Sequence, residues 1–128
     1  MKLTACAAIL GFSAVALGAF GAHGLENRLS AEAQGWWETA SFYLLVHAAL
    51  GAAMAGQGRR WRWAVVLLLG GAALFAATLY AMALGAPRVL GAVTPLGGLG
   101  MLAGWALFAL QALRGHGAGL KPGGKRLR

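Results

Sequence analysis

Few residues in this chain of 128 could do chemistry, and they are scattered. It has three histidines, three acidic residues, two tyrosines and one cysteine. His47 falls inside a long apolar run, His23 closes another beside Glu26, and His116 lies in a basic terminal stretch where it makes no site. An ionisable side chain in apolar sequence is a functional candidate, because hydrocarbon tolerates it only where it finds a partner. Its imidazole can move a proton, ligate a haem iron, or hold helices together as a neutral hydrogen-bonding group. Tyr43 stands one helical turn before His47 on the same face, and Tyr80 and Thr94 offer hydroxyls. His23, Glu26, Tyr43, His47, Tyr80 and Thr94 are therefore the candidate polar pocket, opening to one side with His47 at its base. No catalytic constellation accompanies them: there is no HExxH, thiol cluster, nucleotide loop or pair of carboxylates within an apolar run. No catalytic residue, metal or cofactor is expected.

The elements that must position these residues follow from composition. Hydrophobic residues make up 59% of the chain and charged residues only 11%, far below the roughly one quarter charged of soluble domains. Charge-free stretches run over residues 3–25, 39–58, 63–87 and 89–113, each reaching the ~20 residues that cross a bilayer as helix. None alternates in the way a spanning strand requires. The expected fold is all-α, a membrane-embedded four-helix bundle over residues 1–114, followed by a basic, glycine-rich flexible tail over residues 115–128.

The net charge of +8 would suggest nucleic acid in a soluble protein, but the basic residues sit at the edges of the apolar stretches and in the tail. No nucleic acid is expected as a partner; the bilayer is. Lys2, the cluster Arg59, Arg60 and Arg62, and the cations from Arg114 onward must share one side if four helices cross. The positive-inside rule makes that side cytoplasmic, with both termini inside, and leaves Glu26, Glu32 and Glu38 in the first outside loop. Lys2, the apolar run and Ala19 with Gly21 also fit a cleavable signal sequence, though a retained first span is favoured.

Along the chain, Ala7, Gly11, Ala14, Gly18 and Ala22 step by three or four and form a small-residue stripe for close helix packing, or for a dimer face. Gly100 and Gly104 repeat the device in the fourth span, and Ala73, Ala77 and Ala81 in the third. Cys6 is expected to pack within the first span. Ser30 reads as an N-cap of a short interfacial helix between spans one and two, ending near Trp36 and Trp37 at headgroup level. Gly85, Ala86, Pro87 and Arg88 read as a turn. Pro95, taken as lying inside the outer half of span four, should free a backbone carbonyl that Thr94 or His47 can meet.

Four segments in order carry a resemblance. They are GAFGAHGLE at 18–26, Tyr43-xxx-His47-Ala48, the Leu79-Tyr80 pair in FAATLYAMAL at 75–84, and LGAVTPLGGLGMLAGW at 90–105. Over residues 1–114 the chain resembles the bacterial domain-of-unknown-function 423 family, with transmembrane protein 256 as a similar eukaryotic group. The resemblance implies four spans in the inner membrane and an unassigned activity, and supplies no catalytic residues. Where relatives often have a Ser or Gly pair before Leu-Tyr, this chain has Ala76, Ala77 and Thr78.

Three classes of function follow. An accessory or structural membrane protein, as a homo-oligomer or part of a larger membrane complex, ranks first. Binding or transport of a small solute or lipid headgroup through the outward-facing polar pocket ranks second. A membrane enzyme or haem carrier ranks last, because His23 near the surface and His47 near mid-bilayer are badly matched in depth for joint axial ligation.

Overall fold

A computed structural model describes residues 2–117, with side chains through residue 115. Among the described residues it is wholly helical: α1 spans Lys2–His23, α2 Ala31–Ala55, α3 Arg62–Ala83 and α4 Thr94–Gly117. Short 3-10 turns, Arg59–Trp61 and Arg88–Ala92, lead into α3 and α4. The helices pack in chain order, α1 on α2, α2 on α3 and α3 on α4, while the backbones of α1 and α4 do not approach each other.

The interior is made of small residues and the exterior of large apolar ones. Ala14, Ala40, Ala48, Ala64, Ala72 and Ala76 are buried, and the largest fully buried side chains are only Leu68 and Val65. Phe12, Phe42, Leu99 and Leu102 stand more than half exposed. A soluble protein does not display such an apolar exterior. In lipid it is the expected surface, and small residues inside let the helices approach closely. Lys2–His23, Arg59–Ala83 and Arg88–Gly115 are each long and apolar enough to cross a membrane.

The short interfacial helix does not form. Residues 24–29 are turns and bends, and Trp36 and Trp37 already belong to α2. Ser30 does cap, accepting the Ala33 N–H at 3.1 Å, but the helix it starts continues to Ala55. No proline interrupts that run and Glu32 favours its positive end, so propagation costs less than a second nucleation.

The small-residue stripe of α1 holds from Ala7 through Gly18, with Gly11 and Gly18 facing Ala48 and Ser41 of α2, and changes only at its end. α1 buries Ala7, Ala14 and Gly21, seven apart, and Ala22 is exposed. In α3, Ala77 is exposed, and Ala72, Ala76 and Leu79 face the core. Cys6 is exposed rather than packed. Pro95 sits in the first turn of α4, where its missing N–H would have no helical partner anyway, so it frees no carbonyl from a running helix. The helix α4 continues through Gly117, past the expected start of the tail; the rest of that tail lies outside the described residues.

Candidate functional site

The deepest polar group is His47, near the middle of α2 and only 5% exposed. Both its ring nitrogens are engaged. Nε2 accepts the indole N–H of Trp105, from the middle of α4, at 3.1 Å. An acceptor at Nε2 makes the ring a neutral tautomer with its proton on Nδ1, which donates to the Tyr43 carbonyl one turn earlier at 2.7 Å. Tyr43 stacks on the imidazole with the ring planes 8° apart, and Trp105 meets it edge-on. Phe75 of α3 closes against Tyr43, with centroids 4.9 Å apart. The expected partners are Tyr43 and, from Thr94-Pro95, a hydroxyl and a freed carbonyl; the structure keeps Tyr43, through its carbonyl, and puts Trp105 in place of Thr94-Pro95.

The other hydroxyls form separate pairs. Thr78 of α3 and Thr94 of α4, both buried, lie 2.7 Å apart, and each also reaches a carbonyl of its own segment, Phe75 and Leu90. Tyr80 and Ser41 share a 2.7 Å hydrogen bond between α3 and α2. Beside them Trp37 donates its indole N–H to the Leu17 carbonyl of α1 at 2.7 Å and sets its ring edge-on to Tyr80. Gln34 adds a bond to the Gly21 carbonyl. Each neighbouring pair of helices is thus joined by at least one polar contact, and α2 reaches α4 through His47.

His23 and Glu26 are exposed at the end of α1 and its following turn, with no hydrogen bond or ion pair to the others. At that end Arg88 pairs with Glu32 at 3.2 Å and lies over the Trp36 ring. Two clefts stand out. One of about 530 Å³ is apolar and lined by Tyr43, Phe75, Pro95, Leu99, Leu102 and Trp105; His47 lies behind Tyr43 and Trp105 and does not line it. The other, at the opposite end, is basic. Among the described residues Ser41 pairs with Tyr80, Thr78 with Thr94, and His47 with Tyr43 and Trp105, and none of these pairs sets a nucleophile against a base.

Sequence reasoning found His47, Tyr80 and Thr94 as polar residues in apolar surroundings. Ser41 and Trp105 were missed as partners. Ser41 is small, and a tryptophan is ordinarily read as an interface anchor; only its mid-helix position, remote from either end of α4, signals a buried role for the N–H.

The glycine positions divide in two. A Cβ at Gly104 would press on Leu68 and one at Gly100 would stand 3.1 Å from the Gly71 Cα, whereas Gly11 and Gly18 leave ordinary contact distances, 3.6 and 3.5 Å, to Ala48 and Ser41. The tightest approaches are Gly71 and Gly97, where α3 and α4 meet backbone to backbone, and Gly21, which lies under the Trp37 indole.

Comparison with known proteins completes the picture. The model of the protein family of unknown function DUF423 matches residues 17–98. The UPF0382 inner membrane protein YgdD of Escherichia coli K12 is 46% identical over 113 residues, 84% of this chain and 86% of that protein. The UPF0382 membrane protein SSP2132 of Staphylococcus saprophyticus is 38% identical over 105 residues, 79% of this chain and 88% of the relative. A UPF0382 membrane protein of Staphylococcus haemolyticus, SH2409, is 38% identical over 104 residues, 78% and 85% of the two chains. No solved structure matches.

Proposed function

The chain belongs to the DUF423 family of membrane proteins of unknown function, and from that premise we propose that it is an accessory or structural protein of the bacterial inner membrane, not a catalyst. One observation carries this reading: the polar side chains of the helix interior are paired, Ser41 with Tyr80, Thr78 with Thr94, and His47 held at both nitrogens by Tyr43 and Trp105. A proton-handling histidine needs a partner that can give or take a proton, and a ligand-binding one an open ring nitrogen; a backbone carbonyl and an indole N–H supply neither.

The proposal takes α2 as a fourth span. It lies between α1 and α3, is about 37 Å long at 1.5 Å per residue, and exposes Phe42, Leu45 and Val46 as a lipid-facing helix would. Lys2, Arg59, Arg60, Arg62 and Arg114 fall at one end of the bundle and all three glutamates at the other, which supports cytoplasmic termini. The E. coli relative's description as an inner membrane protein supports the location.

The competing reading is a small-solute or headgroup site facing outward. Its support is confined to His23 and Glu26, which remain exposed. The two are separated by mild-detergent purification from native membranes with crosslinking, alongside solute uptake in proteoliposomes. A homo-oligomer or a complex with other membrane proteins is the expected result. A monomer that catalyses uptake, and loses it in His47→Gln, would overturn the structural role.

A further inference from the structure

The basic cleft lies at the end of the bundle remote from the glutamates. Its volume is about 540 Å³, and it is lined by the start of α1 (Lys2, Leu3, Thr4), the end of α2 with the turn after it (Ala55, Gly56, Gly58), and Arg59 and Arg62. Lys2, Arg59 and Arg62 carry three positive charges around it. None of them is in an ion pair, since the one salt bridge among the described residues, Arg88 with Glu32, is at the other end. Arg60, their neighbour, is occupied elsewhere, its guanidinium binding the Gln111 carbonyl and lying over the Trp61 ring, whereas Arg62 has only a looser ring contact, 5.8 Å from the Trp63 centroid, which uses the face of the guanidinium and not its N–H donors.

A cluster of like charges repels itself, and among the described residues no Asp or Glu lies at this end to offset it. Orientation during insertion explains why cations are here, but not why they surround a hollow. The hollow is also amphipathic, since Leu3 and Ala55 line it beside the cations and Leu3 packs onto the apolar cluster of Ala7, Val65 and Leu69. Two helices that meet at it, α1 and α3, are long and apolar enough to cross the membrane, so their ends lie at headgroup depth. Trp63, two-thirds exposed beside Arg62, suits the same level.

We infer that this cleft binds the phosphate of an anionic phospholipid headgroup, held by Lys2, Arg59 and Arg62, with the acyl chains leaving past Leu3. Guanidinium groups recognise phosphate oxygens by charge-assisted hydrogen bonds, and basic pockets between helix ends are suited to such headgroups. The inference needs only the spans α1 and α3, so it stands or falls separately from the structural role of His47.

The test uses the full chain, delipidated in detergent, with phosphatidylglycerol, phosphatidylcholine or inorganic phosphate added, read by native mass spectrometry and by thermal shift. Phosphatidylglycerol should stay bound and raise the melting temperature; phosphatidylcholine and inorganic phosphate should do neither. Arg59→Gln with Arg62→Gln should weaken phosphatidylglycerol binding about thirtyfold, at roughly 1 kcal/mol for each of the two cations removed. Arg59→Lys with Arg62→Lys should restore much of it. Lys121→Gln with Lys125→Gln removes the same charge from the terminal segment and should leave binding unchanged. Equal loss in the cleft and terminal variants would mean diffuse attraction and overturn the site. Equal retention of the two lipids would overturn it too, and a shift by inorganic phosphate alone would replace the lipid with a soluble anion.

Discussion

At the scale of single residues, the imidazole of His47 works through its two lone contacts and not through its charge. Deleting it in His47→Ala leaves the Trp105 N–H and its surroundings unsatisfied in an apolar interior, at a cost of about 1–3 kcal/mol. Thermal unfolding of the purified protein should show the loss. His47→Gln keeps one donor and one acceptor and should recover part of it. Trp105→Phe should destabilise as well, and the double variant should cost less than the sum of the two singles, because they share one bond. Strict additivity would show that the contact contributes nothing. His47 was legible as a polar residue stranded in an apolar run. Its partner was not, since Trp105 lies 58 positions away and only the docking of α2, α3 and α4 brings the two to one depth.

At the scale of elements, the α3–α4 contact depends on the absence of side chains. A Cβ on Gly97 would fall 2.5 Å from the Phe75 nitrogen, and one on Gly71 2.5 Å from the Met101 nitrogen, so backbone must move to admit either. Gly97→Ala or Gly71→Ala should destabilise by about 1–3 kcal/mol, as overpacking does. Gly70→Ala and Gly98→Ala meet nothing within 4 Å and are the controls; in a helix interior they should be neutral or slightly stabilising. If all four behave alike in detergent unfolding, the seam is not a tight contact. On α1, Gly21→Ala would drive a methyl into the Trp37 indole that anchors the helix to α2, while Gly11→Ala meets Ala48 at an ordinary distance. Loss of α1 docking, read as faster proteolysis after Arg28, should follow the first substitution and not the second. The glycines at 100 and 104 could be picked out by their spacing. Gly71 and Gly97 could not, because spacing marks a face without saying which helix lies on it.

At the scale of the whole molecule, the charge asymmetry between the two ends predicts the orientation. With Cys6 replaced by alanine, a cysteine introduced at Asn27, in the exposed turn after α1, should react with an impermeant maleimide from outside the inner membrane. Asn27 is preferable to Ser30, whose hydroxyl caps α2. Labelling only after the inner face is opened would reverse the bundle. Removing residues 118–128 should leave the folded species intact by detergent chromatography, since the cut falls after α4 ends at Gly117 and spares all four helices. The exposed Arg88–Glu32 pair should matter little, under about 1 kcal/mol.

The sequence by itself determined the class of this protein, because membrane thickness and the cost of charge in hydrocarbon act on composition and can be read without contacts. It marked the apolar runs, the cap at Ser30, the turn before Arg88, and the gathering of most cations at one end and of the glutamates at the other. Rotation of each helix about its axis was decided by the tertiary structure alone. In lipid, both faces of an apolar helix are compatible with the solvent, so hydrophobicity cannot say which side is buried. Steric fit chooses instead, and it placed Gly21 over Ala22, Ala76 over Ala77 and the Trp105 N–H against His47. The same fit separated six polar residues, expected to form one region, into two hydroxyl pairs, a histidine lock and two exposed groups.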